Sequence, residues 1–321
     1  MTEAVFSPRD SAPDAAAAAG ALGVLGGSGL YDLDGLADVR EQAVTTPFGE
    51  PSGPLVTGTL GGARLVFLAR HGRGHRLLPS EINYRANVHA LKQLGVQRVL
   101  SVSAVGSLRE GIEPGDLVLV DQFIDKTFRR PSTFFGDGVV GHVSFADPTC
   151  AELAGVVGEV AVAGGFQTVA HDERRRVGPP GRPRRLHRGG TYVCMEGPQF
   201  STRAESDLHR TWGADTIGMT AATEAKLCRE AELCFVSLAL VTDYDCWHAE
   251  EEAVTASAVI AVLTANVARA KEIVRGALPR LAGRPRSCGC GHAAENAIMT
   301  SRESIPAPAR ERLRILYGRY L

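Results

Sequence analysis

Short apolar runs rich in β-branched residues alternate along the chain with longer stretches of amphipathic spacing, the pattern of a mainly parallel sheet covered by helices. Ala21 to Leu25 is an apolar run that breaks at Gly26-Gly27-Ser28-Gly29, and Arg64 to Leu68 breaks at Ala69-Arg70-His71-Gly72. Both read as a strand feeding a loop. The spacing predicts a helix over Asn83 to Leu94, a strand over Val96 to Val102 that stops at Ser103-Ala104-Val105-Gly106-Ser107, and a strand over Leu117 to Asp121. Residues 127 to 148, rich in Gly, Pro, Phe and Ser without clear periodicity, read as a long functional loop, and 150 to 166 as helix.

Further strands are expected at Thr191 to Cys194, at Thr216 to Thr220 and at Leu233 to Val241, the last ending at Thr242-Asp243-Tyr244-Asp245. Helices are expected up to about Trp212, from about Ala222, over Val254 to Leu278, and over about Pro306 to Tyr320, where the pattern is amphipathic. The stretch Arg174 to Arg188 holds seven arginines and three prolines and reads as a solvated, partly mobile insertion, with a basic partner-docking arm as the alternative. The expectation is one α/β domain over 21–280, a mixed central β-sheet flanked by helices, between a disordered tail (1–20) and a C-terminal extension (281–321). No internal repeat is visible.

Composition narrows the function. Lys plus Arg (35) nearly cancels Asp plus Glu (36), so no broad positive field points to nucleic acid or to an anionic membrane surface, and an anion site must be local. The apolar runs fall far short of the roughly 20 residues that span a bilayer. The alanine-rich start lacks a basic leader and has Glu3, Asp10 and Asp14 nearby, so residues 1 to 20 read as a loose tail and not as a secretory signal. Seven cysteines without framework spacing suit the cytoplasm. Cys288 and Cys290 form a Cys-x-Cys pair with no second Cys/His pair at zinc-finger spacing, so they are read as structural or incidental thiols and no metal site is expected.

In open α/β sheets ligands bind beyond the carboxyl ends of the strands, where loops and helix N-termini converge. Ser28, Arg70, His71, Ser103, Thr220 and Asp243 each follow an expected strand. The Gly26–Gly29 turn lets backbone N–H groups approach an anion, and Ser28 adds a hydroxyl; the turn fits neither the dinucleotide fingerprint nor the Walker pattern. Arg70 and His71 add a forked guanidinium and an imidazole suited to a phosphate dianion. Asp243 and Asp245 can project to one side, and like charges that close would raise one pKa and supply a general acid; an Asx turn in a solvated loop is the alternative.

Several motifs in order resemble the trimeric purine nucleoside phosphorylases over about residues 21 to 278. They are Gly26-Gly27-Ser28-Gly29-Leu30, Thr46-Pro47-Phe48-Gly49, Arg70-His71-Gly72-Arg73, Pro79 to Asn83, Gly106-Ser107-Leu108-Arg109, Pro114-Gly115-Asp116, Asp121 to Asp125, Glu196 to Phe200, Ala204-Glu205 and Thr242 to Trp247. Two positions resemble the methylthioadenosine phosphorylase branch. The 6-oxopurine members have glutamate after the Gly-Pro-x-Phe phenylalanine and asparagine at the position of Asp243; here the first is Ser201 and the second is aspartate. A carboxylate accepts from an exocyclic 6-amino group or, protonated, donates to purine N7, so adenine is favoured. Two departures stand out: Gly218 replaces an asparagine of some members, and Ala221-Ala222-Thr223-Glu224 replaces a stretch ending Val-Pro-Glu.

The resemblance implies a phosphorylase fold, a homotrimer or dimer of trimers, and no cofactor beyond inorganic phosphate as co-substrate. It implies phosphate contacts from Ser28, Arg70, His71, Ser103, the Ala104 backbone and Thr220. Phe200 would stack on the purine, Met219 would lie under the ribose, and Ser201, Asp243 and Asp245 would face the base. His75 and a neighbouring subunit's His142 would line the 5'-substituent pocket. For Phe200 and Met219 alone, core packing is the simpler reading. The expected reaction is phosphorolysis of S-methyl-5'-thioadenosine, in methionine and purine salvage. Alternatives are a phosphorylase for 6-oxopurine nucleosides or methylthioinosine, nucleoside hydrolysis on a similar fold, and a catalytically silent purine-binding regulatory protein.

Overall fold

The computed structural model describes residues 20–27, 33–169, 184–248 and 256–321; the expected tail at 1–19, Ser28, and the 174–183 part of the arginine-rich stretch lie outside the described residues. The first half of the chain contributes strands β1 (Ala21–Gly26), β2 (Ala37–Gln42), β3 (Leu55–Leu60), β4 (Ala63–Ala69), β5 (Val96–Ser107), β6 (Leu117–Val120) and β7 (Gln122–Asp125), with helices α1 (Tyr84–Gln93) and α2 (Ala151–Ala163). The second half contributes β8 (Gln167–Val169), β9 (Arg185–Arg188), β10 (Thr191–Cys194), β11 (Thr216–Gly218) and β12 (Cys234–Asp243), with helices α3 (Arg203–Thr211), α4 (Ala221–Glu230), α5 (Ala256–Leu281) and α6 (Ala307–Tyr317).

Strand β1 is buried at every position because helices cover both faces of the sheet, which is why it reads as an unbroken apolar run. The strand order is β2-β3-β4-β1-β5-β12-β6-β9-β8. At its centre β4, β1, β5 and β12 run parallel, while β2, β3 and β6 bring antiparallel neighbours, so the sheet is mixed. On one face α2 and α5 supply Val156, Val157, Val160, Ile273, Val274 and Leu278; on the other, α1, α4 and α6 supply Val88, Leu91, Leu227, Cys228, Leu313 and Leu316. Asn83 starts α1 by accepting from the Ala86 N–H, and Thr202 with Glu205 closes a capping box at α3. No helix among the described residues is long and apolar enough to cross a membrane.

Two expectations are corrected, both by strand pairing. Strand β5 does not stop at Val102 but continues through Ser107, because its small residues keep pairing with β12 up to Gly106 and then antiparallel with β11; Ser103 and Ala104 therefore sit in the strand, not in a loop. Arg185–Arg188 is a strand and not solvated insertion: it pairs in parallel with β6 and β8, and His187 Nε2 lies 3.0 Å from Asp116 Oδ2 with both buried. The region after 281 packs onto the body, with the Tyr317 ring stacked 5.0 Å from Phe135 and Leu313 and Leu316 buried.

Candidate active site

The carboxyl ends of the parallel strands β1, β4, β5 and β12 open on one cavity of about 330 Å³. Gly27 follows β1, Arg70 and His71 follow β4, Ser103 to Gly106 end β5, Gly218 to Thr220 join β11 to α4, and Thr242, Asp243 and Asp245 end β12. Met195, Phe200 and His75 also line it. Of the residues expected in the site, Arg70, His71, Ser103, Ala104, Thr220, Phe200, Met219, His75, Asp243 and Asp245 all line this cavity. Ser201 stands just behind it, its hydroxyl 3.8 Å from the Met195 sulfur. His142 is not brought to the cavity within one chain: it lines a separate cleft of the 132–145 loop, and its N–H donates to Ala297 O at 2.8 Å.

Arg70 is almost wholly buried, and its forked edge is committed within the protein. Nε and Nη2 pair with the Glu224 carboxylate, Nη2 also donates to Ser101 Oγ (2.9 Å) and Leu25 O (3.1 Å), and Nη1 donates to Val102 O (3.0 Å). Burial works against the charge, but Glu224 outweighs it and holds the guanidinium pKa above its ordinary value. Nη1 carries two N–H groups, so one remains for a ligand. Glu224 also accepts from Ser101 Oγ at 2.6 Å, and sequence reasoning missed its role. Its only signal is a carboxylate in the otherwise small first turn of α4, Ala-Ala-Thr-Glu-Ala.

His71 shows its Nδ1 to Leu77 O at 2.9 Å, which makes Nδ1 the protonated nitrogen and leaves Nε2 as an acceptor. Burial, with Arg70 adding repulsion, lowers its pKa to about 4, so the ring is neutral near pH 7. His75 stacks on it, ring centroids 4.2 Å apart, and takes a left-handed φ of 53°. Ser103 Oγ is buried at the cavity wall with no hydrogen-bond partner among the described residues, an arrangement that a bound acceptor or donor would satisfy.

Thr220 is the N-cap of α4, yet its hydroxyl makes no capping bond, and both Thr220 and the positive end of the helix face the cavity. The Thr220 N–H reaches the Tyr192 hydroxyl at 3.5 Å. A Cβ at Gly218 would lie 2.1 Å from that hydroxyl and 2.7 Å from the ring carbon bearing it. Tyr192 therefore fills the space a side chain at 218 would need, and glycine there is the complement of a buried tyrosine.

Asp243 Oδ1 accepts the Asp245 N–H at 2.8 Å, and Oδ2 accepts from Thr242 Oγ1 at 2.7 Å. The Asx turn and the site placement thus hold together. Asp245 has a left-handed φ of 54°, and its carboxyl pKa is raised by burial, with the hydroxyls of Ser206 and Ser201 opposing the shift. Desolvation is the largest cause of the shift. A Cβ at Gly106 would come within 2.9 Å of Asp243 Oδ1, so the close approach of β5 to this turn requires glycine. Phe200 is 52% exposed, which removes core packing as its explanation. Arg130, also missed, ties the 127–148 loop to the site: it donates to Glu196 Oε1 at 3.1 Å, to Glu196 O at 2.6 Å and to Met219 O.

Away from the cavity, Cys288 and Cys290 meet Cys150 and Cys234, four sulfur atoms all within 4.8 Å of one another.

With this geometry in view, residues 21–279 match the model of the phosphorylase superfamily. The S-methyl-5'-thioadenosine phosphorylase of Koribacter versatilis is 53% identical over 299 residues, 93% of this chain and 96% of the relative; that of Geobacter sulfurreducens is 53% identical over 301 residues, 94% and 99%. Among solved structures, a methylthioadenosine phosphorylase from an antarctic soil metagenomic library superposes with a TM-score of 0.84 at 45% identity, covering 93% of this chain and 99% of the other. The methylthioadenosine phosphorylase of Schistosoma mansoni in complex with adenine does so at 0.78 and 34%, covering 93% and 98%.

Proposed function

The chain belongs to the phosphorylase superfamily, in its S-methyl-5'-thioadenosine phosphorylase family, and we propose that this cavity carries out phosphorolysis of S-methyl-5'-thioadenosine to adenine and 5-methylthioribose 1-phosphate. One observation carries the assignment of the site: a single cavity is lined at once by an anion-binding set, by two carboxyls on one strand end, and by an unpacked aromatic ring.

The electrostatics support one way of holding phosphate. Glu224 already matches the Arg70 charge, so the dianion is held chiefly by donors: the remaining Nη1 N–H of Arg70, the Ser103 hydroxyl, the Thr220 hydroxyl at the α4 N-terminus, the Ala104 backbone, and Ser28 of the Gly-rich segment. The one P–OH of hydrogen phosphate donates to the free Nε2 of neutral His71. Phe200 stacks on the purine, Met219 underlies the ribose, and Ser201 and Asp245 face the base beside Asp243.

Phosphate attacks C1' as the glycosidic bond loosens toward an oxocarbenium-like state, and the departing base takes a proton, or a strong hydrogen bond, from Asp243 at N7. Thr242 and the Asp245 N–H fix the orientation of that carboxyl. Positioned proton donation contributes about 10²–10⁴-fold, and the phosphate sets both nucleophile and negative charge against the cationic sugar. Inorganic phosphate is a co-substrate and no organic cofactor takes part. The active form is a homotrimer, with His75 and a neighbouring subunit's His142 lining the 5'-methylthio pocket; seven free thiols fit a cytoplasmic setting.

Release of free base from methylthioadenosine, adenosine, methylthioinosine and inosine, with and without phosphate, tests the reading. Phosphate-dependent adenine release from the thionucleoside is expected. Preference for the 6-oxo substrates, or turnover without phosphate, would overturn the specificity or the reaction class.

A further inference from the structure

The four-cysteine cluster lies at the opposite end of β12 from the cavity. Cys234 opens that strand and Asp243 closes it, ten residues that at about 3.3 Å each separate the two places by about 30 Å. The reaction makes no use of these thiols. Cys150 is the N-cap of α2, so that helix starts at the cluster. Cys150, Cys234 and Cys290 are buried, Cys288 is partly exposed, and all are free thiols.

We propose that Cys150, Cys234, Cys288 and Cys290 bind a structural zinc ion that fastens the C-terminal extension to the catalytic body. Four thiolates arranged tetrahedrally at about 2.3 Å from zinc place their sulfurs about 3.8 Å apart. Here Cys234 and Cys288 sulfurs are 3.4 Å apart and all four fall within 4.8 Å. A tetrahedral, all-sulfur set selects zinc over the hard, oxygen-seeking cations. Binding exchanges four thiol protons for one Zn²⁺ and leaves a net charge of −2 at the centre.

The surroundings are built for this. Arg229 Nη1 lies 4.0 Å from the Cys290 sulfur and offsets the negative charge. Glu152 Oε2 accepts from Ser287 N, Ser287 Oγ and Cys288 N at 2.9, 2.7 and 3.0 Å, which fixes the turn that carries the Cys-x-Cys pair. The Cys150 N–H donates to Phe235 O at 2.8 Å, which locks the two body cysteines together. A surface cleft lined by Cys150, Cys288 and Cys290 gives the ion an entry path.

The extension so fastened in turn holds the 127–148 loop: Met299 N donates to Val140 O (2.9 Å), His142 N to Ala297 O (2.8 Å) and Val140 N to Thr300 Oγ1 (2.8 Å). The zinc therefore acts as a clasp between the core strand β12 and the loop that bears His142.

The test is elemental analysis of the full chain purified under reducing conditions, paired with mass spectrometry of the folded and the denatured protein. About one zinc per chain is expected, with the folded mass heavier by one ion less the protons it displaces. In the Cys288→Ser/Cys290→Ser protein, and in Cys290→Ser alone should the double variant fold poorly, zinc falls to background. The wild type should hold cobalt in its place with the intense visible bands of a tetrahedral tetrathiolate. Metal-free wild type with all seven thiols open to alkylation, or a metal-free chain lighter by the four hydrogens of two disulfides, overturns the proposal.

Discussion

Replacing Glu224 with alanine leaves the Arg70 guanidinium buried with only neutral partners, the Val102 and Leu25 carbonyls and the Ser101 hydroxyl. Removing one member of a buried ion pair costs about 3–5 kcal/mol, because the surviving charge stays desolvated. An unfolding entropy of about 2.1 cal/mol/K per residue, taken over 321 residues, converts each kcal/mol into about 1.5 °C, so the melting temperature should fall by about 4–8 °C. Glu224→Gln keeps shape and an acceptor but loses the charge, and should fall between the two. Arg70 is aimed at the cavity by this pair, so the phosphate KM should rise more than the nucleoside KM. In differential scanning fluorimetry, phosphate at 100 times its Kd should stabilise the wild type by about 2.7 kcal/mol, or roughly 4 °C, and Glu224→Ala much less at the same concentration. A Glu224→Ala protein with wild-type melting and a wild-type phosphate KM would refute the reasoning.

Gly218→Ala should cost about 1–3 kcal/mol by overpacking against Tyr192, and in urea unfolding it should be strongly non-additive with Tyr192→Ala; simple additivity would show that the two sites do not compete for the same space. His71 should titrate near 4 by NMR in the free protein and higher with phosphate bound. Because the folded pKa lies below the ordinary 6.5, the unfolded chain takes up a proton that the folded one refuses, so His71 should lower stability by up to about 3 kcal/mol as pH falls from 6.5 to 4, a slope that His71→Asn should lack. Phe200→Ala should raise the nucleoside KM by the roughly 1–3 kcal/mol of a base-stacking contact while leaving the melting temperature nearly unchanged; a large loss of stability would return Phe200 to the core.

The elements legible in the sequence are those whose burial writes a local pattern. β1 and β12 are covered on both faces and read as apolar runs, and α1 carries its own cap at Asn83. β2 is exposed along its length and polar, so nothing local distinguishes it from a loop; it exists because β3 offers it an edge. β9 was hidden inside an arginine-rich stretch, since the buried His187 is balanced by Asp116, 71 residues away. The cavity residues were legible because polar groups at strand ends are few and the topology collects them. Their partners were not: Glu224 is 154 residues from Arg70, Arg130 is 66 from Glu196, and Cys150 and Cys234 lie far from Cys288 and Cys290. Each belongs to a long-range contact that only folding brings about. Gly218, a departure from the family pattern in sequence, becomes intelligible once Tyr192 is seen beside it.

The most direct test is adenine release from S-methyl-5'-thioadenosine measured against phosphate concentration, with the sugar product identified, in wild type and Asp243→Asn. The predicted result is a saturating phosphate dependence, one methylthioribose 1-phosphate per adenine, and a kcat lower by about 10²–10⁴-fold in the variant with the phosphate KM little changed. Free methylthioribose as product, or an Asp243→Asn protein with wild-type turnover, would contradict the account.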